Sequence, residues 1–299
     1  MHIILGGTGH VGSAAAKRLL EMGEPVTVVS HTGSQRYEWE RRGARFEVAD
    51  VFDTEALRDV FRTGKRAFLL NPPADPSTDT DAQEKRSAAA ILDALDGSGL
   101  EQVVAESTMG AQPGERLGDL SVLYDFEQAL RRQPVPAAVI RAAYYMSNWD
   151  ASLEMAINEG HLASMYPADL AMPMVAPEDL GRAAALLLTA PRGESGIHYV
   201  EGPERYSPND VAAAFAAAID KPVAVKVIPR DQWEATYRQL GFSKAAAASY
   251  ARMTALSLDG DFERPASPER GTVTLQDYID ELVGRAARQS ARTAGSHRS

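Results

Sequence analysis

Short apolar runs alternate with longer amphipathic stretches over the first half of the chain. Runs of this kind, bounded by turn residues, are typical of strands that are buried on both faces of a parallel sheet. The predicted strands are 3–5, 24–30, 45–49, 67–71, 102–105 and 137–141, and the predicted helices between them are 13–22, 54–63, 79–97 and 120–132. Because strand and helix alternate, the pattern predicts an α/β fold with a Rossmann-like, doubly wound parallel sheet and helices on both faces.

Prolines interrupt this alternation after residue 150. The elements predicted there are the helices 177–188, 208–219, 230–256 and 274–287 and the strands 197–200 and 223–228. We therefore expect a first domain over 1–150 and a smaller, mostly helical α/β lobe over 151–284 that covers a substrate. The last residues, 285–299, are rich in Arg, Ser, Ala and Gly and are predicted to form a disordered tail.

A glycine cluster directly after the first predicted strand is the most informative motif of the chain. The segment 6–12 reads Gly-Gly-Thr-Gly-His-Val-Gly, in which the first glycines permit a tight turn and the last lets the next helix approach the strand closely. The free N–H groups of that helix then point at a phosphate. An ordinary glycine-rich turn is the alternative, but the β-α-β unit that a dinucleotide site requires is present. The predicted cofactor contacts here are Gly6, Thr8, Gly9, His10, Val11 and Gly12.

The end of the second predicted strand indicates which dinucleotide binds. A site for NAD usually has Asp or Glu there, whereas this chain has Ser30, His31 and Thr32. Without a carboxylate, a 2′-phosphate meets no repulsion and can accept hydrogen bonds from Ser30, Thr32 and Arg36. We therefore expect NADP(H) to be favoured over NAD(H), and 1–150 to be the NAD(P)-binding domain. The alternative for Arg36 is a solvated loop cation.

The ends of the later strands are predicted to reach the same cofactor, because ligands of open parallel sheets collect at the carboxyl edge. Asp50 can bracket the adenine or serve only as a turn or cap residue. The residues after the fourth and sixth strands form walls beside the nicotinamide ribose and ring, or only end the strand and pack. The contacts predicted at these strand ends are Asp50, Val51, Asn71, Pro72, Pro73, Ser107, Tyr144 and Asn148.

Composition excludes several other classes of protein. A formal net charge of −10 disfavours nucleic acid or an anionic membrane surface as a partner, since phosphates attract clustered cations. The chain has no cysteine and its histidines lie far apart, so we expect neither disulfides nor a metal site. No run of apolar residues is long enough to span a membrane, and no signal peptide is recognisable. The expected location is the cytoplasm.

Together these motifs resemble the NmrA-like family of atypical short-chain dehydrogenases/reductases. The resemblance is carried by Gly6–Gly12, Asp50, Phe68–Pro73, Val103–Thr108 and Ile140–Asn148. It is clear over residues 1–200 and looser beyond them. It implies a Rossmann domain, a small C-terminal lobe, a preference for NADP(H) and a pocket between the two parts. Members of this family divide into NAD(P)H-dependent reductases of quinones or related acceptors and catalytically silent sensors of the cofactor's redox state.

Classical short-chain dehydrogenases use Tyr-x-x-x-Lys, in which the lysine lowers the pKa of the tyrosine so that the phenol can exchange a proton. No tyrosine of this chain has a lysine four residues later, and Tyr124, on the expected helix, has Gln128 at that place. Tyr124 is a candidate proton donor, and Ser107 is a candidate to bind a substrate carbonyl. The alternatives are a half-buried helix tyrosine and a serine that only caps the strand end.

The missing Tyr-Lys pair favours an acceptor that needs little acid catalysis. We therefore expect an NADPH-dependent oxidoreductase that transfers a hydride to a quinone-like or other conjugated small molecule. The alternative is a catalytically silent NADP(H) redox sensor that regulates a protein partner, whereas an epimerase acting on a nucleotide sugar would need the missing pair. The expected partner is a small-molecule electron acceptor, and the sequence leaves a homodimer or a regulated protein partner open.

Overall fold

The strands of the protein form one large sheet and two small ones. The computed structural model describes residues 1–191, 193–260 and 265–296, with side chains up to residue 289. Within these ranges the strands are β1 (His2–Leu5), β2 (Val26–Ser30), β3 (Arg45–Val48), β4 (Arg66–Leu69), β5 (Gln102–Thr108), β6 (Ala137–Ala142), β7 (Tyr144–Tyr145), β8 (His161–Ser164), β9 (Met172–Val175), β10 (Gly196–Glu201), β11 (Arg205–Tyr206), β12 (Ala224–Val227) and β13 (Glu269–Arg270).

The helices lie on both faces of the large sheet and in a separate lobe. They are α1 (His10–Glu21), α2 (Arg36–Arg41), α3 (Thr54–Arg62), α4 (Thr80–Leu95), α5 (Asp119–Leu130), α6 (Leu153–Glu159), α7 (Pro177–Thr189), α8 (Pro208–Ile219), α9 (Trp233–Gln239), α10 (Lys244–Asp259) and α11 (Leu275–Ser296). Short 3₁₀ helices cover 146–152 and 230–232. α1 and α7 bury one face of the sheet, while α3, α4 and α5 bury the other.

The large sheet has the parallel, doubly wound order that the sequence predicts. Its strands follow the order β13-β10-β6-β5-β4-β1-β2-β3, and every pair is parallel. The apolar residues of β1 and β2 are buried almost completely, as expected for strands covered on both faces. The order reverses between β1 and β4, and in sheets of this type the crevice at the carboxyl ends of such strands binds the ligand. The predicted Rossmann-like fold is therefore confirmed.

The chain re-enters the large sheet after residue 150. α7 packs against α1, and β10 pairs with β6 over Gly196–Val200. The predicted boundary at residue 150, between 1–150 and 151–284, therefore does not separate two independent cores. Segments after this boundary supply part of the core around the large sheet. The predicted disordered tail over 285–299 differs as well, since α11 continues as a helix to Ser296. Residues 297–299 lie outside the described part of the chain.

The second lobe has its own apolar core, and packing against this core stabilises α11 as a helix. Phe215 of α8 and Ile279 of α11 are completely buried in this core, together with Trp149 and Leu162. The lobe also contains the small sheets β11-β9-β7 and β12-β8. A membrane-spanning helix, which must be long and apolar, does not occur in the described ranges.

Candidate active site

The loop between β1 and α1 has the geometry that its glycines predict. Gly6 has a φ of +69°, which residues other than glycine rarely adopt. A Cβ atom on Gly12 would overlap the carbonyl oxygen of Gly6, and a Cβ on Gly7 would lie 2.9 Å from the carbonyl oxygen of Ile4. The Gly9 N–H donates to the Gly6 carbonyl at 3.0 Å and closes the turn. The fold itself therefore requires Gly6, Gly7 and Gly12.

Gly9 differs from its neighbours, because nothing in the protein requires a glycine there. Its φ is −80°, and an added Cβ would meet only the Gly6 carbonyl oxygen at 3.4 Å. Gly9 is the N-cap of α1, no side chain caps this helix, and its first turn contains no acidic residue. The first N–H groups of α1 thus remain available to an anion. This arrangement fits the pyrophosphate of a dinucleotide, which Gly9, His10, Val11 and Gly12 would hold.

Hydroxyl groups line the carboxyl edge next to this loop. Thr8 Oγ1 lies 3.1 Å from Ser30 Oγ at the end of β2, and Thr32 Oγ1 lies 3.1 Å from Ser34 Oγ. His31 is exposed beside them, and the segment 30–37 contains no carboxylate. The predicted cofactor contacts Thr8, Ser30, His31 and Thr32 therefore lie together around the end of β2.

Arg36 is the first residue of α2 and is partly engaged by the protein. Its Nη1 donates to the carbonyl oxygen of Phe46 at 2.7 Å, and the guanidinium carbon lies 5.2 Å from the centre of the Phe46 ring. Glu40 Oε1 is 3.4 Å away, and the Arg36 side chain is 44% exposed. β3 therefore holds Arg36 in one orientation while part of its planar donor group faces solvent, which an additional anion could use.

Asp50 and Val51 follow β3, as predicted. The Asp50 carboxylate accepts the Phe52 N–H at 3.0 Å, so that Asp50 stabilises the turn. The Phe52 side chain is 40% exposed, and the guanidinium carbon of Arg86 on α4 lies 5.1 Å from its ring centre. Phe52, which sequence reasoning did not select, offers an aromatic surface at the place where the adenine was predicted.

The segment after β4 is fastened to α4. Asn71 Nδ2 donates to the Glu84 carbonyl oxygen at 3.0 Å, and Asn71 Oδ1 accepts from Ser87 Oγ at 2.6 Å. Pro72 is half-buried and Pro73 is exposed. Asn71 therefore positions the two prolines at the carboxyl edge, where they were predicted to form a rigid wall.

Ser107 does not lie in the crevice. Its side chain is 1% exposed, and Oγ donates to Glu127 Oε1 of α5 at 2.5 Å. Glu127 also accepts two hydrogen bonds from Arg141, at 2.9 Å and 2.7 Å. Because β5 turns Ser107 toward this buried ion pair, its hydroxyl does not reach a ligand at the carboxyl edge. The geometry disagrees with the catalytic and cofactor-binding roles predicted for Ser107.

Tyr124 lies on α5, on the predicted helix. Its side chain is half-buried, and its hydroxyl forms no hydrogen bond with any described residue. Its neighbour Asp125 forms an ion pair with Lys85 of α4 at 3.2 Å. The role of Tyr124 as a proton donor stays a prediction.

Tyr144 and Asn148 lie together after β6 and belong to a larger aromatic group. Burial raises the pKa of Tyr144, and the Asn148 side chain lies near enough to the Tyr144 hydroxyl to oppose this change in part. The Tyr144 ring lies 5.6 Å from Tyr166, edge to face, and 6.2 Å from Trp149. Burial raises the pKa of Tyr166 to about 12. The two residues predicted here are therefore brought together, and the second lobe adds Tyr166.

The helices α9 and α10 extend this group from the other side. The rings of Tyr237, Phe242 and Tyr250 lie 5.0 Å to 5.6 Å apart. Tyr237 is near enough to Tyr144 and Tyr166 to contribute to the raised pKa of both. We call these half-buried side chains the aromatic wall; its members are Tyr144, Tyr166, Tyr237, Phe242 and Tyr250.

A buried carboxyl group lies beside the aromatic wall at the end of β5. Glu106 is 4% exposed, and its Oε1 accepts a hydrogen bond from the Tyr145 hydroxyl at 2.7 Å. Burial raises the pKa of Glu106 to about 8, and the hydrogen bond from Tyr145 opposes this change only in part. Burial and the charge of Glu106 raise the pKa of Tyr145 as well. At neutral pH this pair therefore holds a carboxylic acid next to a phenol.

Further acidic side chains join α4, α5 and α10. Glu84 lies beside Asp119, and burial, followed by the charge of Asp119, raises the pKa of Glu84 to about 8. Burial also raises the pKa of Asp119. Asp81 Oδ1 accepts from Ser249 Oγ of α10 at 2.6 Å, and Ser249 Oγ accepts the Gly118 N–H at 2.9 Å. Through these contacts the second lobe docks on the carboxyl edge of the large sheet.

Sequence reasoning missed most of this second half of the crevice. Glu106 is next to Ser107 in sequence, but the sequence does not show whether a cation lies beside it in the folded protein. Glu84, Asp119, Tyr237 and Tyr250 lie in ordinary helical patterns. The one available signal was the unusual Glu within the apolar run of β5, which breaks the pattern of a strand buried on both faces.

Two open depressions occur elsewhere on the surface and do not belong to this crevice. Their volumes are about 430 Å³ and 240 Å³, and both are lined by the segment 133–136, which precedes β6. They therefore lie at the amino ends of the strands, opposite the phosphate loop. No cluster of side chains suited to a metal ion occurs among the described residues.

Comparisons with known proteins agree with this architecture. The profile of the NmrA-like family matches residues 2–273. An NAD(P)H azoreductase from Xenophilus azovorans is 22% identical over 297 residues, covering 99% of this chain and 98% of the relative. The nitrogen metabolite regulation-like protein bik4 from Gibberella fujikuroi is 26% identical over 320 residues, covering 95% and 92%.

A solved structure shows the same fold over nearly the whole chain. It is an NADPH-dependent quinone oxidoreductase, QOR2, from Escherichia coli in complex with NADPH, with a TM-score of 0.78 at 18% identity. The match covers 94% of this chain and 99% of that one. Together with the family profile over residues 2–273, these findings mean that the chain belongs to the NmrA-like family.

Proposed function

We propose that this chain is an NADPH-dependent oxidoreductase that transfers a hydride to a quinone-like or other conjugated small molecule. The observation that carries the proposal is that two sites lie along one edge of the sheet. The first is the uncapped end of α1, with open space at Gly9, and the second is the aromatic wall. Similarity to an NAD(P)H azoreductase and to an NADPH-dependent quinone oxidoreductase supports the same conclusion.

The residues of the crevice have distinct tasks in this reaction. A bound dihydronicotinamide supplies the hydride, so the protein has to bind, orient and desolvate the acceptor. A flat, conjugated acceptor can pack against Tyr144, Tyr166 and Tyr237, because aromatic rings favour offset and edge-to-face contacts. α10, attached through Ser249, covers the acceptor from the side of the second lobe.

The preference for NADP(H) rests on the end of β2. Ser30 and Thr32 supply hydroxyl groups, Arg36 supplies a cation held by the Phe46 carbonyl, and the segment 30–37 has no carboxylate to repel a phosphate. A 2′-phosphate in this place would accept charge-assisted hydrogen bonds. The chain therefore uses NADPH in preference to NADH.

Oxidation of NADPH, followed by its absorbance, tests the proposal. The purified protein at saturating NADPH is offered benzoquinones, naphthoquinones, azo dyes and other conjugated acceptors, while binding of NADPH is measured separately by calorimetry. We expect oxidation that depends on the acceptor and is faster with NADPH than with NADH. Tight binding of NADPH with no oxidation by any acceptor would contradict the proposed reaction.

The similarity to bik4, a nitrogen metabolite regulation-like protein, favours one alternative. In that case the chain is a sensor of NADP(H), and binding of the cofactor changes its association with itself or with a protein partner. Sedimentation with NADPH and with NADP⁺ distinguishes the two functions. A sensor shows a redox-dependent change in association without turnover, whereas the reductase turns over whatever its association state.

A further inference from the structure

The pair formed by Glu106 and Tyr145 lies where the reactive end of an extended dinucleotide has to reach. Leu70, directly after β4, is the nearest neighbour of a Cβ atom added to Gly6, at 3.1 Å. β4 pairs with β5, in which Ala105 is opposite Leu69, and Glu106 is opposite Ile140 of β6. A cofactor anchored at α1 must therefore cross the end of β4 before it reaches Glu106, Tyr145 and the aromatic wall.

Among the described residues, Tyr145 is the one partner that would stabilise a negative charge on Glu106. Glu106 Oε1 accepts from the Tyr145 hydroxyl, whereas its Oε2 is buried and has no hydrogen-bond partner among the described residues. A buried, unpartnered carboxylate oxygen is costly, while a protonated carboxyl group at the same place carries no charge. The geometry therefore favours the acid form of Glu106.

The other titratable groups around the pair do not favour the charged form of Glu106. Tyr145 is the group that opposes the effect of burial, and only in part. On the side of α5, Asp119 lies near enough to raise the pKa of Tyr145, and Asp119 is itself next to Glu84 and Asp81. All of these neighbours are acids or phenols, so they disfavour any further negative charge.

From this arrangement we propose that Tyr145 donates a proton to the reduced acceptor and that Glu106 returns a proton to Tyr145. The inference rests on the proposed oxidoreductase function and supplies the acid that the missing Tyr-x-x-x-Lys pair leaves open. Tyr145 is then the catalytic residue, and Glu106 acts through it as a positioning residue and proton reservoir. Tyr145 is half-buried, and donation to a ligand requires its hydroxyl to turn away from Glu106.

Reduction of the acceptor is accompanied by three proton transfers. The acceptor gains a hydride, which brings two electrons, and its oxygen or nitrogen atom becomes anionic. The O–H bond of Tyr145 breaks as a new O–H or N–H bond forms on that atom. The Tyr145 oxygen then takes the proton of the Glu106 carboxyl group, and a proton from solvent restores Glu106. One acceptor and one proton from solvent are consumed for each NADPH oxidised.

Two substitutions test this assignment and change the size of the two side chains very little. Glu106→Gln keeps a hydrogen-bonding side chain of nearly the same size but has no acidic proton. Tyr145→Phe removes only the hydroxyl. The matched control is Tyr206→Phe, a buried tyrosine in the core of the second lobe whose hydroxyl accepts the Leu275 N–H at 3.3 Å. The control should retain the wild-type kcat.

The first measurement needs neither cofactor nor acceptor. Infrared difference spectra of the unliganded protein, wild type minus Glu106→Gln, should show the carbonyl stretch of a protonated carboxyl group at neutral pH. This band should disappear as the pH rises through about 8, because the buried Glu106 then ionises. A carboxylate band at neutral pH, or no difference between the two proteins, would overturn the role of Glu106.

The second measurement is the pH profile of kcat with an acceptor that the wild type reduces. Tyr145→Phe should lower kcat by about 10²-fold, which is typical for the loss of a general acid. Wild-type kcat should fall as the pH rises through about 8. The kcat of Glu106→Gln should be lower than that of the wild type and should not fall in this pH range. An active wild type with unchanged kcat in both variants would overturn this inference alone. A wild type that binds NADPH and reduces nothing would overturn the proposed function and the inference with it.

Discussion

The two ends of the carboxyl edge of the large sheet are built in different ways. At the end of β1, the backbone forms the site, through the positive φ of Gly6, the close approach of Gly12 and the uncapped N-terminus of α1. At the ends of β5 and β6, side chains form it, and they come from segments as far apart in sequence as Glu106, Tyr145 and Tyr250.

This difference separates two tasks that one ligand site has to perform. A site made of backbone N–H groups recognises a group common to many nucleotides and tolerates few changes in sequence. A site made of side chains can differ in shape, polarity and proton supply while the fold stays the same. The difference predicts that mutations at the first end abolish cofactor binding, whereas mutations at the second end alter chemistry or docking of the lobe.

The largest effect is expected at Gly9, where a side chain would occupy the space of the phosphate. Gly9→Val should weaken NADPH binding by more than about 100-fold, or about 2.7 kcal/mol, without a comparable loss of stability. The reason is that Gly9 has an ordinary φ of −80° and an added Cβ meets only the Gly6 carbonyl oxygen at 3.4 Å. Calorimetric titration and denaturant unfolding measure the two quantities.

Gly12→Ala provides the contrast, because its Cβ would overlap the Gly6 carbonyl oxygen. That variant should lose stability as well as affinity. If Gly9→Val kept its affinity for NADPH, the β1–α1 loop would not be the phosphate site, and the distinction between the two ends of the edge would fail.

A smaller effect is expected at the acidic contacts of α4, and it depends on pH. In the folded protein the pKa of Glu84 is raised from its ordinary value of 4.5 to about 8, so the folded state keeps the proton longer than the unfolded chain. This contribution to stability is complete below the unfolded pKa and is lost as the pH rises through the folded pKa. The free energy of unfolding should therefore fall from about pH 5 to about pH 8, by at most about 1.4 kcal/mol per pH unit for this group.

Glu84→Gln removes this titration and should make the fall with pH shallower, as measured by urea unfolding at several pH values. The exposed Glu115 gives the control, since Glu115→Gln should leave the pH dependence of stability as it is in the wild type. Identical slopes for wild type and Glu84→Gln would mean that Glu84 ionises normally, and that the second end of the edge is less tightly buried than its contacts indicate.

The smallest effect is expected at Arg36, which sharpens the contrast within the cofactor site itself. Arg36→Ala should weaken NADPH binding by about tenfold and leave NADH binding nearly unchanged, because only NADPH carries the 2′-phosphate that the guanidinium would bind. Arg42→Ala is the control at the C-terminal end of the same helix, since Arg42 follows α2 and is paired with Glu38 at 2.9 Å. Equal losses for NADPH and NADH would remove Arg36 from the phosphate site.

Two adjacent residues on β5 illustrate where prediction from the sequence ended. Ser107 was selected because it stands at the end of a predicted strand, but successive residues of a strand point to opposite faces. The Ser107 hydroxyl donates a hydrogen bond to Glu127 of α5, whereas Glu106 accepts one from Tyr145. The positions of Glu106 and Ser107 along the strand were predictable. Which of the two side chains faces the ligand depends on how β6 and α5 pack against β5.

The same limit applies to the domain division. The alternation of strands and helices predicted the sheet correctly up to β6, because burial on both faces leaves a strong local pattern. The return of α7 and β10 to the large sheet joins segments distant in sequence, and no local pattern records which sheet a later strand extends.

The sequence by itself determined the doubly wound sheet, the glycine loop and the absence of a carboxylate after β2. These features depend on backbone conformation and on residues within one β-α-β unit, so short-range requirements leave their mark in the order of residues. Only the tertiary structure decided that Glu106 meets Tyr145, that Asp81 meets Ser249 and that tyrosines from both lobes share one wall. The reason is that burial, and with it the charge state of a carboxyl group, is a property of the packed molecule rather than of any segment of the chain.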